Sequence, residues 1–281
     1  MIRTVKFLEK SPFFYNLKYL YSYIIITITM KVYEHLINTI SSKGAAYLIL
    51  VDPDKITFEK LPHFIKHCEK SGVDGFLIGG SLMMSNHFED FLRKVKEYTS
   101  IPTIIFPGGV NQVSPEADSI LYLSVVSGRN PEHLIGKHVL AAPFIKQANL
   151  EPISTGYVLI ESGTVTTVQY VSGSQPIPRS KSEIAAATAL AAEYLGMKFI
   201  YLEAGSGAQK TVPDEMVKLV SNYCSVPVIV GGGIRTAEEA ATKVKCGAKI
   251  IVTGNYFEDE NNWDQVKEFA NAIHSKVPVT V

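Results

Sequence analysis

A carboxylate and a run of small residues follow an apolar segment in the second half of the chain. Phe199 to Leu202 are aromatic and aliphatic, which predicts a buried strand, and Glu203 stands where that strand ends. Side chains alternate along a strand, so Tyr201 and Glu203 share one face. The small residues Ala204-Gly205-Ser206-Gly207 let backbone amides turn toward a ligand. This stretch therefore places a carboxylate beside a candidate anion site.

Two later strand-like segments end in the same way. Val230-Gly231-Gly232-Gly233 and Thr253-Gly254-Asn255 both run from apolar residues into glycine. One such turn is a weak indication, because any tight turn can need glycine. Three consecutive strand ends of this kind predict a phosphate site. A helix that starts at Thr236, with Glu238-Glu239 in its first turn, is expected to point its N-terminus at this anion.

A second carboxylate follows an earlier strand-like segment. Leu48, Leu50 and Asp52 fall on one strand face, so Asp52 is expected to point into the same site. The next strand ends in Gly79-Gly80-Ser81, which places a hydroxyl beside Asp52 because neighbouring strands lie ~4.8 Å apart. Asp52 could instead cap the turn before Pro53, and Ser81 could be a helix N-cap. A carboxylate, a hydroxyl and waters suit Mg²⁺, which also binds substrate phosphates.

These strand ends belong to a regular alternation of apolar runs and helical periods that begins at Gly44. The predicted strands cover residues 46–51, 75–78, 103–106, 119–125, 156–160, 199–202, 226–230 and 250–253. The predicted helices cover residues 57–71, 87–98, 132–148, 183–195, 213–223, 237–245 and 263–273. The connection 107–118 contains two prolines and two glycines and is a poor helix. Residues 162–171 are expected to form a hairpin-like arm.

Continuous apolar strands joined by helical crossovers predict a parallel sheet that is covered on both faces. Eight such strands favour an α/β fold that closes into a modified (β/α)8 TIM barrel, with helix 3 replaced by a loop. A doubly wound open sheet is the alternative. In a barrel of this kind the site lies at the carboxyl ends of the strands, and the loops after strands seven and eight commonly hold a phosphate.

Composition limits the classes of partner. The chain has 281 residues, and Lys+Arg and Asp+Glu both total 27, so no net field attracts nucleic acid. Cys68, Cys224 and Cys246 show no zinc or disulfide spacing, which predicts a reduced, cytoplasmic protein. Residues 30–281 are expected to form a single catalytic domain.

The first residues differ from the rest of the chain. Arg3, Lys6, Lys10 and Lys18 precede a Tyr- and Ile-rich run at residues 19–28. That run is about half of the ~20 apolar residues that span a bilayer. Residues 1–29 are therefore predicted to be an N-terminal extension outside the fold, with a membrane-touching anchor as the alternative.

Taken together, the motifs resemble the geranylgeranylglyceryl phosphate synthase family. They are Asp52-Pro53-Asp54-Lys55, Gly79-Gly80-Ser81, Tyr201-Leu202-Glu203-Ala204-Gly205-Ser206-Gly207, Gly231-Gly232-Gly233-Ile234 and Gly254-Asn255. The resemblance runs from about Val32 to Val277, and the Ala-Gly-Ser-Gly loop is similar to the second group of the family. It implies a modified TIM barrel that lacks its third helix, in agreement with the weak segment 107–118.

The resemblance also implies a reaction and its residues. The 3-hydroxyl of sn-glycerol 1-phosphate attacks geranylgeranyl diphosphate, and the products are geranylgeranylglyceryl phosphate, an ether lipid precursor, and diphosphate. Asp52 and Ser81 would bind Mg²⁺, and Glu203 would orient the hydroxyl and accept its proton. The residues that would bind sn-glycerol 1-phosphate are Tyr201, Leu202, Glu203, Ala204, Gly205, Ser206, Gly207, Gly232, Gly233, Gly254 and Asn255.

The prenyl tail needs an apolar groove, for which the segment without helix 3 leaves room. Its candidate lining residues are Phe106, Val110, Ile120 and Leu123, and Arg179 and Lys181 are candidates for holding the diphosphate. A homo-oligomer, a dimer or a hexamer, is expected, with transient membrane contact at product release.

Two other functions fit parts of the pattern. A sugar-phosphate isomerase or epimerase would also bind phosphate on a TIM barrel, and a non-catalytic barrel could bind phosphometabolites. The combination of Asp52, Ser81 and Glu203 argues against both.

Overall fold

The computed structural model describes residues 31–274, and the structural findings below concern these residues. The predicted extension, residues 1–29, lies outside this range, as does the end of the family resemblance at Val277.

Eight parallel strands form a closed barrel in chain order, as the sequence predicts. Closure occurs between the first and last strands, where Ala46 pairs with Ile250, so the open-sheet alternative is wrong. The strands are β1 Ala46–Val51, β2 Gly75–Ile78, β3 Thr103–Ile105, β4 Ser119–Val125, β5 Glu151–Leu159, β6 Phe199–Glu203, β7 Val228–Gly231 and β8 Ile250–Thr253.

Helices cover the outside of the barrel and precede its first strand. They are α1 Val32–Lys43, α2 Leu61–Lys70, α3 Phe88–Lys96, α4 Lys137–Gln147, α5 Thr167–Ser172, α6 Ser182–Tyr194, α7 Asp214–Tyr223, α8 Ala237–Lys245 and α9 Val266–Ile273. Between β3 and β4 the chain forms only a short 3-10 turn, Val110–Gln112, which confirms the replacement of that crossover helix by a loop.

Two local predictions are wrong, and a third is confirmed with a different first turn. Strand β5 begins at Glu151, five residues before the predicted start, because pairing with β4 carries the strand through Pro152. The expected hairpin-like arm at 162–171 contains helix α5 instead. The predicted helix 132–148 begins with a π-type turn, Glu132–Gly136, before α4 starts.

The barrel has two apolar layers. Alternate strand residues such as Leu48, Leu77 and Ile104 fill the interior, while the others pack between the strands and the helices. Near the carboxyl ends of the strands, the rings of Phe106, Tyr157 and Tyr201 lie 5.4–6.1 Å apart, centroid to centroid. This aromatic cluster borders the cavity described below.

A buried carboxylate ties together elements at the opposite end of the barrel. Asp74 accepts hydrogen bonds from the Lys43 amine, the Tyr47 amide and the ring of His274. These contacts join α1, β1 and the end of α9. Within residues 31–274, no helix has both the length and the apolar character that crossing a bilayer requires.

Candidate active site

A cavity of about 380 Å³ opens at the carboxyl ends of the strands. Most of the predicted site residues line it: Asp52, Ser81, Tyr201, Glu203, Ser206, Gly207, Gly232, Gly233, Gly254 and Asn255. Barrel closure therefore brings together residues that lie far apart in the chain, such as Asp52 and Asn255, which are separated by 203 positions (255 − 52), as strand parity and the glycine-ended loops predict.

Two predicted substrate-binding residues have side chains on the other face. Leu202 and Ala204 are buried in the layer between the strands and the helices. Strand parity explains this arrangement, because Leu202 alternates with Tyr201 and Glu203. The prediction is therefore corrected for these side chains, since only the backbone of these two residues can contribute to the site.

Glu203 is a buried carboxylate in the wall of the cavity. The residue is 6% exposed. Burial raises the pKa of Glu203 to about 7, although the Gly205 amide and the Tyr201 hydroxyl favour the charged form. The Gly205 amide donates to Glu203 Oε1 over 2.6 Å. A carboxylate with a pKa near neutrality is well matched to taking up a proton at physiological pH.

Glycine at the end of β7 makes room for Glu203. A Cβ on Gly231 would lie 2.5 Å from the Tyr201 hydroxyl, and a Cβ on Gly232 would overlap Glu203 Oε1. Gly232 also has a φ of +86°, which L side chains rarely adopt. The lack of a side chain at Gly232 therefore leaves room for the Glu203 carboxylate as well as for the predicted phosphate.

The glycine loops provide amides for an anion. In the part of the chain that the structure describes, the amides of Gly232 and Gly233 have no hydrogen-bond acceptor. Asn255 fixes the opposite loop, because its Oδ1 accepts from the Ser206 hydroxyl at 2.5 Å and from the Gly207 amide at 2.8 Å. The Asn255 side chain therefore bridges the ends of β6 and β8.

The N-terminus of helix α8 is already occupied. Thr236 and Glu239 form a capping box, in which the Thr236 hydroxyl accepts from the Glu239 amide. The Glu239 carboxylate accepts from the amides of Arg235 at 2.8 Å and Thr236 at 3.3 Å. The Glu239 carboxylate thus lies at this helix end, and the expectation that the helix end faces the phosphate stays a prediction.

Asp52 serves the turn and lines the cavity. Its Oδ1 accepts from the Asp54 amide at 2.9 Å, as a turn residue does. Its Oδ2 lies over the backbone of Gly80, where a Cβ would be 3.1 Å away. Burial raises the pKa of Asp52, and the charge of Asp54 adds to the effect. Ser81 lines the same cavity.

No group of three or more His, Cys, Asp or Glu side chains within residues 31–274 is arranged to hold a metal ion. The donors at this end of the cavity are hard oxygens, those of the Asp52 and Glu258 carboxylates and of the Ser81 hydroxyl, and they fit Mg²⁺ when substrate and water supply the other ligands.

An apolar groove meets the cavity at Ser81, which lines both. The groove runs between the loop that replaces the helix after β3, the strand β4 and the helix α4. All four predicted lining residues border it: Phe106, Val110, Ile120 and Leu123. Pro107, Gly108 and Gly109 carry the chain along its edge, and a Cβ on Gly108 would lie 2.7 Å from the Ser81 carbonyl oxygen.

Arg179 and Lys181 line neither space. The Arg179 guanidinium donates to the carbonyl of Thr211 at 2.7 Å and to that of Glu161 at 3.1 Å. Lys181 pairs with Glu183 at 3.7 Å on the surface. The structure therefore does not support their expected contact with the diphosphate.

Three charged residues line the cavity that sequence reasoning missed, namely Lys55, Arg235 and Glu258. Each lies in or near a recognised motif: Lys55 ends Asp52-Pro53-Asp54-Lys55, Arg235 follows Ile234, and Glu258 lies three residues after Asn255. Their position in or near these motifs was the sequence feature that could have identified them as lining residues.

The fold and the site define the class: a (β/α)8 barrel with a buried carboxylate, glycine loops at the ends of β6 and β7, and an apolar groove beside them. The sequence profile described as the PcrB family matches residues 38–273. The chain belongs to this family.

Two curated relatives carry the same name. The geranylgeranylglyceryl phosphate synthase of Chitinophaga pinensis is 46% identical over 249 residues, which cover 89% of this chain and 98% of the relative. The geranylgeranylglyceryl phosphate synthase of Pyrococcus horikoshii is 39% identical over 245 residues, covering 87% and 96%.

A solved structure agrees in fold. The (S)-3-O-geranylgeranylglyceryl phosphate synthase of Thermoplasma acidophilum, in complex with its substrate sn-glycerol-1-phosphate, superimposes with a TM-score of 0.81. It is 31% identical, and the match covers 88% of this chain and 99% of that one.

Proposed function

We propose that this chain joins the 3-hydroxyl of sn-glycerol 1-phosphate to the first carbon of geranylgeranyl diphosphate. The observation that carries this proposal is the junction at Ser81, where a polar cavity with free glycine amides opens into an apolar groove. A small phosphate ester fits the first space and an isoprenoid tail fits the second. The relatives at 39–46% identity bear the name of this activity.

The glycine loops are assigned to the phosphate of sn-glycerol 1-phosphate. Free amides at Gly232 and Gly233 can donate to its oxygens, and the Asn255 side chain holds the facing loop in place. Amide donors fixed by a rigid barrel bind an anion without reorganising, so little ordering cost remains at binding. The glycerol 3-hydroxyl then lies toward Glu203.

Glu203 is assigned as the general base. In the reaction a C–O bond forms between the glycerol oxygen and the prenyl carbon while the bond from that carbon to the diphosphate breaks. The hydroxyl proton passes to Glu203, and the electron pair of the broken bond leaves with diphosphate. A pKa of about 7 suits this role, because the group is substantially deprotonated at neutral pH yet basic enough to accept a proton.

Mg²⁺ is proposed as the cofactor, with Asp52 and Ser81 as the residues that would hold it. When bound, it would neutralise negative charge on the departing diphosphate. Asp52 and Ser81 follow the neighbouring strands β1 and β2, and both line the cavity. Lys55, on the same wall, adds a positive charge for the diphosphate.

The apolar groove is assigned to the prenyl tail. Ile120, Ala141 and Ile145 line it between β4 and α4, away from the charged cavity. Burying a hydrocarbon chain there contributes ~0.8 kcal/mol per methylene. A sugar-phosphate isomerase would have no use for such a groove, so the groove favours a lipid substrate. Because the product is a lipid, we also propose transient membrane contact at its release.

The activity test mixes the protein with Mg²⁺, radiolabelled sn-glycerol 1-phosphate and prenyl diphosphates of several lengths, followed by extraction into organic solvent. Label is expected in the organic phase, with one diphosphate released per molecule of product. sn-Glycerol 3-phosphate is the matched control substrate. Label that stays in water with every prenyl diphosphate contradicts the proposed function.

The metal assignment is tested with Asp52→Asn. Turnover at fixed Mg²⁺ is expected to fall roughly a thousandfold, because lost stabilisation of several kcal/mol costs about a decade per 1.4 kcal/mol. Calorimetric titration of Mg²⁺ with diphosphate present measures binding directly. Asp54→Asn is the control, since Asp54 binds the amides of Met84 and Ser85 and does not line the cavity. Equal losses of turnover and Mg²⁺ binding in Asp52→Asn and Asp54→Asn would mean that Asp52 acts as a turn residue and not as a metal ligand.

A homo-oligomer, a dimer or a hexamer, is also proposed. Two separate surfaces expose large apolar side chains, which monomers seldom do. On and beside α4 they are Ile135, Val139, Leu140 and Phe144, and on and beside α6 and α7 they are Ile184, Tyr194, Leu195 and Tyr223. Light scattering is expected to show a multiple of the 30.9 kDa chain mass, reduced in Leu140→Glu. A wild-type monomer at micromolar concentration overturns this proposal.

A cytoplasmic location is proposed from the thiols. Cys68, Cys224 and Cys246 are all free in the structure, in keeping with a reducing compartment. Fractionation of cells that express the chain tests the location.

A further inference from the structure

The guanidinium of Arg235 joins the loop after β7, which carries the proposed phosphate-binding amides, to the loop after β6. Its Nη2 donates to the Ala208 carbonyl, in the loop after β6, over 2.8 Å. Its Nη1 donates to the Gly233 carbonyl, in the loop after β7, over 3.2 Å. Arg235 also lines the cavity. One side chain thus joins both loops at the wall of the site.

The loops lie in close contact at this point. A Cβ on Gly233 would lie 3.2 Å from the Ala208 carbonyl oxygen, so the two loops pass each other with little space for a side chain. Carbonyl oxygens brought close together repel each other unless a donor lies between them. The Arg235 guanidinium donates to both carbonyls, while the amides of Gly232 and Gly233, which have no acceptor within residues 31–274, remain for a ligand.

The charge of Arg235 has no carboxylate to balance it. No Asp or Glu oxygen within residues 31–274 lies within ion-pair distance of its guanidinium, whereas Arg93 pairs with Glu89, Asp90 and Glu116. The Glu239 carboxylate is directed to the backbone amides of Arg235 and Thr236. Neutral carbonyl partners leave a full positive charge at the edge of the anion site.

The N-terminus of α8 is another possible source of positive potential. Its capping box places the Glu239 carboxylate on the amides of Arg235 and Thr236, immediately before the helix. The favourable field of a helix N-terminus is thereby offset at its first turn. On the β6–β7 side of the cavity, Arg235 is the side chain that carries positive charge.

We propose that Arg235 is a positioning residue for phosphate recognition. It holds the Ala208 and Gly233 carbonyls so that the loop after β7 keeps its Gly232 and Gly233 amides available to the phosphate of sn-glycerol 1-phosphate, and its charge favours the dianion. This inference rests on the proposed function. A lysine cannot replace it fully, because two carbonyls on separate loops require the fixed fork of a guanidinium.

The test compares Arg235→Gln and Arg235→Lys with wild type in steady-state kinetics for both substrates. In Arg235→Gln the KM for sn-glycerol 1-phosphate is expected to rise roughly ten- to a hundredfold, the range for loss of hydrogen bonds to a charged group. The KM for geranylgeranyl diphosphate is expected to stay within twofold. Inhibition by inorganic phosphate, competitive with sn-glycerol 1-phosphate, is expected to weaken by a similar factor. For Arg235→Lys, the KM for sn-glycerol 1-phosphate should lie between the values for wild type and Arg235→Gln.

Arg179→Gln is the matched control. Arg179 also donates only to backbone carbonyls, those of Thr211 and Glu161, but it lies outside the cavity lining. Arg179→Gln is expected to lose thermal stability as Arg235→Gln does. Its KM for sn-glycerol 1-phosphate should not rise relative to its KM for geranylgeranyl diphosphate. Equal rises in both KM values for Arg235→Gln, or none at all, overturn the positioning role. Absence of turnover in wild type instead contradicts the proposed function, so the two failures are distinguishable.

Discussion

At the scale of single residues, Glu203 shows how burial prepares a carboxylate for proton transfer. The group is enclosed by β6 and β7, and burial raises its pKa to about 7. A raised carboxyl pKa means that folding disfavours the charged form. The associated stability is fully present below the unfolded pKa of about 4.3 and is lost as the pH rises through 7. Catalysis has the opposite requirement, because the base works only when deprotonated.

Glu203→Gln separates these two effects. Turnover should fall by at least a hundredfold, the usual contribution of a general base. The free energy of unfolding of wild type should drop by about 3 kcal/mol between pH 4.5 and pH 8 relative to the variant, because the shift in pKa is about 2.5 units. Urea denaturation at both pH values measures the drop. The wild-type pH profile of kcat/KM should rise to a plateau above pH 7.

A wild-type profile that is flat between pH 5.5 and pH 8.5 would contradict the assignment of Glu203 as base. Glutamine keeps an acceptor for the Gly205 amide, so an unfolded variant is not expected.

At the scale of elements, the loop after β6 depends on glycine in a left-handed conformation. Gly207 has a φ of +71° with nothing within 4 Å of the position of a Cβ. Its amide donates to Asn255, which ties the loop to the end of β8. Gly196, in the turn after α6, has a φ of +87° and equally open surroundings. The two glycines therefore carry the same backbone requirement in different places.

Alanine at these two positions tests the loop. Each substitution should cost about 1 kcal/mol of stability, because L residues disfavour positive φ. Gly207→Ala should also raise the KM for sn-glycerol 1-phosphate roughly tenfold, about 1.4 kcal/mol, as the loop leaves its bound form. Gly196→Ala should leave both KM values unchanged. Thermal melting and kinetics on both variants provide the comparison, and a shared kinetic defect would refute a local role for the loop.

At the scale of the whole molecule, the Asp74 cluster closes the end of the barrel away from the site. Burial by itself raises the pKa of Asp74, but hydrogen bonds from His274, Lys43 and the Tyr47 amide outweigh it and hold the pKa below its usual value. Because the pKa of Asp74 is lowered by folding, the ionised carboxylate stabilises the folded state. Its contribution is present above the unfolded pKa of about 3.9 and is lost as the pH falls through the folded pKa.

Asp74→Asn should destabilise the fold without altering catalysis. The expected loss at pH 7 is roughly 2–4 kcal/mol, toward the lower end of the range for a broken buried pair, because the Lys43 side chain is 43% exposed and remains partly solvated. The difference from wild type should shrink at pH 3. Denaturation at pH 7 and pH 3 checks this, alongside kcat at 25 °C, which should match wild type. A variant equally stable at pH 7 would show that the cluster contributes nothing.

The complete barrel within residues 31–274 also bears on the N-terminal extension. All eight strands lie in this range, so removal of residues 1–29 should leave turnover within twofold and the melting temperature unchanged. Kinetics and calorimetry on the truncated chain test the prediction. An insoluble or inactive truncation would contradict it.

What the sequence determined by itself follows from short-range rules. The inward positions of Tyr201 and Glu203, and the outward position of Leu202, come from the two-residue period of a strand. Eight apolar runs with crossovers specify a closed parallel barrel, and the poor helix at 107–118 locates the groove. The sequence presented the turn and the cavity as alternatives for Asp52, and the structure shows both, since one residue at a strand end can serve the two.

Only the tertiary structure decided the contacts between loops. The bridge from Arg235 to Ala208, the hydrogen bond from Gly207 to Asn255 and the space that Gly232 leaves for Glu203 join different strand ends. It also showed that Arg179 supports a loop and that Glu239 occupies the end of α8. Such contacts depend on barrel closure and on the path of each loop, which no local period encodes. The same holds for the pKa of Glu203, because burial by neighbouring strands sets it.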